Sequence, residues 1–451
     1  MPKLIPDLDN ITAYNRFRQP SVLHTACMAA SNSMFLYPDG YVMPCCHSKD
    51  YLLGKYPENT LHDIWFSAQR TALKEALRNY NFDLGCEGCF NTLCNKNYDT
   101  VSALRFDGFG QVQYPTNMEF QLHNNCNLEC VMCSGAYSSS ILKNRDGLPS
   151  LPMLYNEKFV EELEEFIPHL THATFSGGES FMIKIYYDIW EKIGRLNPSC
   201  KVNIITNGSV MNQRIKDLLT QGNFTITISI DAFHKDTYEA IRKNADYNVL
   251  LENLNYFSEI RSTTNTQINI NLCPMPINWK YIPDFVEKCN QLRCGYYFSL
   301  VYLPHPHSLL SLSVEELGLI AKYLVEHEPK NFWQESNRKK YHGLIQTIKC
   351  WQNEMAETPI NPSQNINYFI EQFNLQIDQI LVSIQDKKEY QLTQKRMSDL
   401  IISIGDKLDA EALCRNLLEK DSLLRMLDES AKRNDEQASE GLIYFFGKKN
   451  L

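Results

Sequence analysis

The sequence predicts an α/β protein built on a partial, TIM-like (β/α)6 barrel, with a cysteine-rich module before the barrel and a helical region after it. First, six apolar, β-rich runs between residues 118 and 303 alternate with helical runs, which is the pattern of parallel α/β folds. Second, polar or glycine-rich motifs follow the first four of these runs, where the loops of such folds carry their chemistry. Third, several of the 15 cysteines stand in short-spaced groups. We therefore divide the chain into residues 1-107, 108-325 and 326-451.

The composition describes a globular chain. Its 451 residues are 43% hydrophobic, which is enough for a core in two or three domains. The formal net charge of -9 disfavours a nucleic acid partner, and no apolar run approaches the roughly 18 residues that span a bilayer. Because the first residues do not resemble a signal peptide, we expect a cytoplasmic protein without membrane association. In that reducing compartment, cysteines bind metals more often than they form disulfides.

Residues 1-107 contain a predicted hairpin and a predicted helix between cysteines. Residues 33-44 are expected to form two strands around a Pro38-Asp39-Gly40 turn, and residues 61-80 have helical periodicity after a candidate N-cap at Asn59 or Thr60. Four thiolates from such a hairpin and a following CxxC turn can meet at one metal site, which could hold zinc or an iron-sulfur cluster. The cysteines available here are Cys27, Cys45, Cys46, Cys86, Cys89 and Cys94.

The barrel strands are predicted to be followed by motifs at one common rim. Each motif taken alone is also compatible with a turn or a helix cap, but their occurrence after successive strands favours a shared site. The predicted strands are residues 118-123, 172-177, 201-206, 224-230, 267-273 and 296-303. The motifs after the first four are the cysteine run 126-133, Gly177-Gly178-Glu179, Thr206-Asn207-Gly208 and Ser229-Ile230-Asp231.

The run Cys126, Cys130 and Cys133 has CxxxCxxC spacing. Soft thiolates on a short loop are the usual ligands of an iron-sulfur cluster. Three protein ligands would leave one iron of a four-iron cluster open to an exogenous ligand. The alternatives are a zinc knuckle with a distant fourth ligand, or buried free thiols.

With these motifs, residues 117-310 resemble the radical S-adenosylmethionine (SAM) superfamily, whose marks are CxxxCxxC and GGE. The resemblance implies that Cys126, Cys130 and Cys133 hold a [4Fe-4S] cluster whose open iron binds SAM. Ser180 stands where many relatives carry proline. The resemblance also implies a SAM site, in which Met132 lies near the adenine. In this site Gly177, Gly178 and Glu179 receive the methionine ammonium. Asn207 binds the carboxylate of SAM, and Ser229 and Asp231 bind the carboxylate or the ribose.

The N-terminal module resembles twitch, the shorter relative of the SPASM domain. This resemblance implies one auxiliary [4Fe-4S] cluster, although such modules usually follow the barrel, whereas this one precedes it. A zinc site remains the alternative. The implied ligands are Cys27, Cys45, Cys86 and Cys89, with Cys46 and Cys94 as spares and Cys94 as an alternative ligand.

The family resemblance implies an oxidoreductase that forms a 5'-deoxyadenosyl radical and receives its electron from a flavodoxin or ferredoxin. Residues 228-244 resemble the peptide-modifying branch, so the first hypothesis is crosslinking, epimerisation or oxidation of a ribosomally synthesised peptide or protein. The second is a twitch-type dehydrogenase of a sugar or amino-sugar. The third is a non-catalytic, zinc-binding interaction protein. Epimerisation would need a thiol hydrogen donor, for which Cys273 is the best placed, although a small buried hydrophobic residue is the alternative interpretation.

Residues 326-451 carry amphipathic helical patterns, notably over 367-384 and 411-430. We expect them to pack against the barrel or to support self-association.

Overall fold

The computed structural model describes residues 3-48, 51-109, 113-221, 223-302 and 304-357. The strands in these residues are β1 (Ser33–Leu36), β2 (Tyr41–Met43), β3 (Gly54–Lys55), β4 (Asn117–Phe120), β5 (His172–Phe175), β6 (Lys201–Thr206), β7 (Phe224–Ser229), β8 (Gln267–Leu272) and β9 (Gly295–Phe298). The α-helices are α1 (Leu8–Asn15), α2 (Ala29–Asn32), α3 (Leu61–Trp65), α4 (Ala68–Arg78), α5 (Glu87–Cys94), α6 (Ser139–Asn144), α7 (Glu157–Glu162), α8 (Lys184–Leu196), α9 (Gln213–Leu219), α10 (Lys235–Ile241), α11 (Tyr247–Thr263), α12 (Ile282–Gln291), α13 (Val314–Glu326) and α14 (Glu335–Glu357).

The sheet confirms the predicted α/β class. Strands β4 to β7 pair in parallel and in chain order, and helices lie between them in the sequence. Each of the six predicted barrel strands is present, although β9 ends at Phe298 rather than at residue 303. The strand order is β3-β2-β1-β4-β5-β6-β7-β8-β9, so within the described residues the sheet has two free edges and is an open, partial barrel.

The chain forms two compact units, which are considered separately below. The first comprises residues 1-127, 150-229 and 248-269, and the second comprises residues 128-149, 230-247 and the described residues from 270 onward.

In the first unit, one face of the sheet is apolar and packs against α8. Val202 and Ile204 of β6 are buried, whereas the alternate residue Asn203 is only half-buried, as the two-residue period of a strand requires. Phe175 of β5 meets the ring of Trp190 on α8 with the ring centroids 5.5 Å apart. The parallel pairing of β4 to β7 sets their register and places the loops that follow them at one rim, and α8 packs on the apolar face of this sheet.

The N-terminal hairpin continues the barrel sheet, which the sequence did not predict. Strand β1 pairs antiparallel with β2 and parallel with β4, where Ser33 faces Asn117 and Leu36 faces Phe120. Every residue of β1 is buried, as expected for a strand with a neighbour on each side. The cysteine module is therefore joined to the first barrel strand by backbone hydrogen bonds.

The predicted helix over residues 61-80 is two helices rather than one. Thr60 caps α3 as expected, since its side chain accepts a hydrogen bond from the Asp63 amide. Ser67 caps α4 by accepting from the Arg70 amide. A serine side chain competes for backbone donors and so favours a helix start over a helix interior. The single-helix prediction was wrong because it counted the apolar spacing and overlooked this cap.

The described part of the last third is helical, as predicted. Helix α14 lies in this region, and α13, which ends the region 108-325 before it, begins with a capping box between Ser313 and Glu316. The predicted helices over 367-384 and 411-430 lie outside the described residues. Among the helices that the structure describes, none combines the length and the apolar character needed to cross a membrane.

Candidate functional site

Four cysteines line one cavity in the first unit. Cys27 precedes α2, Cys45 follows β2, and Cys86 and Cys89 lie at the start of α5. The sequence places these thiols up to 62 positions apart (89 − 27), and the hairpin and α5 bring them together. The remaining lining is largely apolar and includes Leu73, Leu77, Phe82 and Phe106.

Burial keeps these thiols protonated in the absence of a cation. It raises the pKa of Cys45 and of Cys86 to about 12. Burial also raises the pKa of Cys27 well above its ordinary value, and the charges of Cys89 and Cys45 add to that shift. A bound metal group supplies positive charge and takes up the thiolates, so this donor set fits an iron-sulfur cluster.

The two spare cysteines do not line this cavity. The Cys46 sulfur accepts a hydrogen bond from Nη1 of Arg105 at 3.5 Å, and Arg105 also pairs with Glu119 of β4. Cys94 is the last residue of α5. The four cysteines that line the cavity are the four predicted ligands of the auxiliary cluster. That they bind a cluster stays a prediction.

Within the part of the chain that the structure describes, no three His, Cys, Asp or Glu side chains are arranged around a single metal ion. The thiolates of a four-iron cluster each bind a different iron and therefore stand farther apart than the ligands of one zinc ion.

The first cysteine of the CxxxCxxC run lies beside the motif that follows β6. Cys126 is 9% exposed, and Nδ2 of Asn207 lies 3.9 Å from its sulfur. The same Asn207 amide donates to Oδ1 of Asn127 at 3.1 Å, and Oδ1 of Asn207 accepts from the Ser209 amide at 2.8 Å. Hydrogen bonds at both the nitrogen and the oxygen of its side-chain amide thus orient Asn207 next to Cys126, a predicted cluster ligand. Asn207 is the residue that was predicted to bind the SAM carboxylate.

The two glycines after β5 allow close contact with the start of the cysteine loop. Gly177 and Gly178 both have positive φ, at 84° and 46°. A Cβ on Gly178 would lie 2.2 Å from the carbonyl oxygen of Asn125, and one on Gly177 would lie 2.7 Å from Cγ of Gln121. Glycine is therefore required here for the backbone conformation and for the space.

The Glu179 carboxylate joins the loops after β5 and β6. The residue is fully buried, and its Oε1 accepts from the Thr206 hydroxyl at 2.7 Å and from the Phe181 amide at 3.1 Å. Its Oε2 accepts from the Asn207 amide at 2.7 Å. The sequence reasoning missed the contribution of Thr206, although its position in the Thr206-Asn207-Gly208 motif was a usable signal. The predicted contact of Glu179 with the SAM ammonium stays a prediction.

In the second unit, Cys130 lies beside a buried ion pair. Nη1 of Arg242 is 3.7 Å from the Cys130 sulfur, and Nε of Arg242 is 2.8 Å from Oδ2 of Asp231. Oδ1 of Asp231 accepts from the Cys273 amide at 2.8 Å. Asp231 was predicted to face SAM, and the structure shows its carboxylate fully buried in this pair. Arg242 was not predicted as a site residue, although it lies within residues 228-244, which resemble the peptide-modifying branch.

Met132 and Cys273 belong to one apolar group in the second unit. They pack against a buried cluster formed by Ile241, Met275 and Val301. Burial raises the pKa of Cys273 well above its ordinary value, so this thiol stays protonated. Its role as a hydrogen donor, and the role of Met132 beside adenine, stay predictions. Ser229 is half-buried at the end of β7, and its predicted contact with SAM stays a prediction. The amide of Cys133 donates to the Cys130 carbonyl at 3.0 Å, and the role of Cys133 as a cluster ligand stays a prediction.

Several curated proteins are similar to parts of the chain. The molybdenum cofactor biosynthesis protein 1 of Dictyostelium discoideum is 23% identical over 261 residues, which are 55% of this chain and 39% of that protein. The GTP 3',8-cyclase of Mycobacterium sp. (strain KMS) is 27% identical over 128 residues, 28% of this chain and 34% of that protein. The sporulation killing factor maturation protein SkfB of Bacillus subtilis is 26% identical over 222 residues, 48% of this chain and 50% of that protein. The chain thus spans half or less of the length of each relative.

Two solved structures show a weak likeness. The Streptococcus suis protein SuiB bound to S-adenosylmethionine has a TM-score of 0.37 at 13% identity, with 53% of each chain covered. The protein anSMEcpe with bound AdoMet has a TM-score of 0.38 at 15% identity, with 47% of this chain and 58% of that chain covered. At these scores the fold assignment rests on the sheet and on the family matches.

Two family models match the chain in the predicted order. The SPASM iron-sulfur cluster-binding domain matches residues 27–90, and the radical SAM superfamily matches residues 120–289. The first match contains the four cysteines of the cavity, and the second contains the CxxxCxxC run and the motifs at the ends of β5, β6 and β7. The cofactors of these domains are a [4Fe-4S] cluster with SAM and an auxiliary iron-sulfur cluster. The chain therefore contains a radical SAM superfamily domain over residues 120–289, preceded by a SPASM iron-sulfur cluster-binding domain over residues 27–90.

Proposed function

We propose that this protein cleaves SAM reductively and uses the radical to abstract a hydrogen atom from a ribosomally synthesised peptide or protein. The observation that carries the SAM site is the hydrogen-bonded path from Glu179 through Asn207 to the Cys126 sulfur. This path of hydrogen bonds joins three separate motifs of the sequence at one rim of the sheet. Three unrelated turns would have no reason to be joined in this way.

Bound SAM and the cluster together supply a 5'-deoxyadenosyl radical, and the protein residues hold both groups in place. Cys126, Cys130 and Cys133 would hold the cluster through three thiolates. The Gly177-Gly178 turn holds Glu179 against Asn125, where its amide donates to the carbonyl oxygen of residue 125 at 2.7 Å. Two further residues, Asn207 and Met132, would orient the carboxylate and the adenine of SAM.

The four-cysteine cavity would hold the auxiliary cluster. In the double variant Cys86→Ala/Cys89→Ala we expect the iron content to fall by about four atoms per chain, because two of the four ligands of one cluster are removed. The matched control is Cys94→Ala, which changes a cysteine of the same helix outside the cavity and should keep full iron. Iron and zinc are measured together on anaerobically purified protein. Unchanged iron in the double variant, or zinc lost in place of iron, would contradict the assignment.

The substrate proposal is supported by the similarity to SkfB, which is named as a maturation protein of the sporulation killing factor. The electron for the cluster must come from an external one-electron donor, and we propose a flavodoxin or a ferredoxin. A small-molecule substrate is the second candidate, because other relatives of comparable identity are GTP 3',8-cyclases.

Isotope transfer tests the substrate proposal. The reduced enzyme is incubated with SAM and deuterated peptides encoded by short reading frames beside its gene, and 5'-deoxyadenosine is examined by mass spectrometry. We expect deuterium in 5'-deoxyadenosine and a peptide changed in mass or in stereochemistry. Parallel reactions contain deuterated GTP or a deuterated nucleotide-linked sugar. Transfer from a small molecule, with none from any peptide, would refute the peptide proposal and support the second candidate.

A further inference from the structure

Backbone hydrogen bonds between their chain neighbours hold Arg242 and Cys130 side by side. The amide of Glu129 donates to the carbonyl of Lys243 at 3.0 Å, and the amide of Val131 donates to the carbonyl of Ile241 at 2.9 Å. The neighbours of Cys130 are thus bonded to the neighbours of Arg242. This pairing fixes where the guanidinium lies, independently of its own contacts.

The guanidinium is buried and carries a full charge at this position. Arg242 is 6% exposed, and its Nε lies 2.8 Å from Oδ2 of the fully buried Asp231. An arginine guanidinium is always protonated in proteins, so this contact is an ion pair between two charged groups. Moving two charges out of water costs free energy, which their attraction only partly offsets. A buried ion pair of this kind is therefore weak evidence for a role in stability.

The positive member of the pair lies beside Cys130. Nη1 of Arg242 is 3.7 Å from the Cys130 sulfur, so the guanidinium attracts negative charge on this predicted cluster ligand.

A buried hydroxyl lies on the same helix. Tyr238 and Arg242 are four residues apart, so they share one face at the end of α10. Tyr238 is fully buried, and within the described residues its hydroxyl has no hydrogen-bond partner. A buried hydroxyl without a partner fits a place where a bound group supplies a further acceptor, such as a cluster sulfide.

We propose that Arg242 is a positioning residue that raises the reduction potential of the cluster held by Cys126, Cys130 and Cys133. The inference rests on the proposed function of those cysteines. Adding one electron to the cluster adds a negative charge, which a nearby guanidinium and its hydrogen bond to the ligand sulfur stabilise. Asp231 holds the guanidinium in place and limits the size of the effect. The electron comes from the external one-electron donor protein.

The test is a redox titration followed by electron paramagnetic resonance (EPR). The signal of this cluster is identified by its change on addition of SAM, which separates it from the auxiliary cluster. The variants are Arg242→Lys, which keeps the charge, and Arg242→Met/Asp231→Asn, which removes both charges and leaves no unpaired ion. The control is Arg338→Met, which removes an exposed arginine of α14 that pairs with Glu335.

For the double variant we expect the ratio of reduced to oxidised cluster at a fixed potential to fall about tenfold, a shift of 59 mV for a one-electron couple. Arg242→Lys should retain most of the wild-type potential, and Arg338→Met all of it. A double variant that keeps its iron and its SAM-responsive signal with an unchanged potential would refute the inference and leave the proposed function intact. A wild-type protein without any SAM-responsive signal would refute both.

Discussion

Replacing Cys126, Cys130 and Cys133 together by alanine is expected to remove about four iron atoms per chain and to abolish SAM cleavage. The three thiolates are the predicted protein ligands of the cluster that binds SAM, and the spare cysteines Cys46 and Cys94 lie in the other cysteine module. The measurements are iron content and 5'-deoxyadenosine formed after reduction.

The control for this triple variant is Cys350→Ala, which changes a partly exposed cysteine of α14. It should match the wild type in both measurements. The auxiliary cluster should survive in the triple variant, so a brown colour and about four iron atoms should remain. Wild-type levels of 5'-deoxyadenosine from the triple variant would contradict the assignment of these cysteines.

Gly178→Ala is expected to lower SAM cleavage by about 10²-fold or more. The new Cβ would lie 2.2 Å from the Asn125 carbonyl oxygen, so the loop that carries Glu179 must move away from the loop that carries Cys126. A displacement of about 1 Å in a positioning element can cost 10²-fold in rate. The loss should appear in SAM affinity as well as in turnover, because Glu179 also fixes the Asn207 amide.

The matched control for Gly178 is Gly194→Ala in the interior of α8. A Cβ on Gly194 would meet nothing within 4 Å. Alanine should stabilise the helix by about 0.5-1 kcal/mol and leave SAM cleavage unchanged. Thermal unfolding separates a local effect of Gly178→Ala from general unfolding. Equal cleavage by the two variants, with both folded, would show that the close approach at Gly178 is not needed.

The strands and the site motifs were predictable because each depends on neighbouring residues. Apolar, β-rich runs gave β4 to β9, and the spacing of Cys126, Cys130 and Cys133 gave the candidate cluster loop. The four cysteines of the SPASM region were predicted from their resemblance to a module, and the cavity brings these four thiols together. Short-range patterns of this kind need no knowledge of the tertiary fold.

The contacts that were not predicted join residues far apart in the chain. The pairing of β1 with β4 brings together residues 84 positions apart (117 − 33), and local periodicity carries no information about such a partner. Arg242 reaches Cys130 across 112 positions (242 − 130), and only the fold makes it a neighbour. Asp231 and Glu179 were expected to bind SAM because of the family resemblance, and those contacts stay predictions. The protein donors that hold both carboxylates in the interior were not predicted, because they come from other parts of the chain.

The most direct test of the account measures the wild-type protein after anaerobic purification and reconstitution. The protein is reduced with dithionite in the presence of SAM, and 5'-deoxyadenosine is quantified beside the iron and zinc content. The account predicts a brown protein with about eight iron atoms per chain that forms 5'-deoxyadenosine. A colourless protein with stoichiometric zinc and no 5'-deoxyadenosine would contradict it.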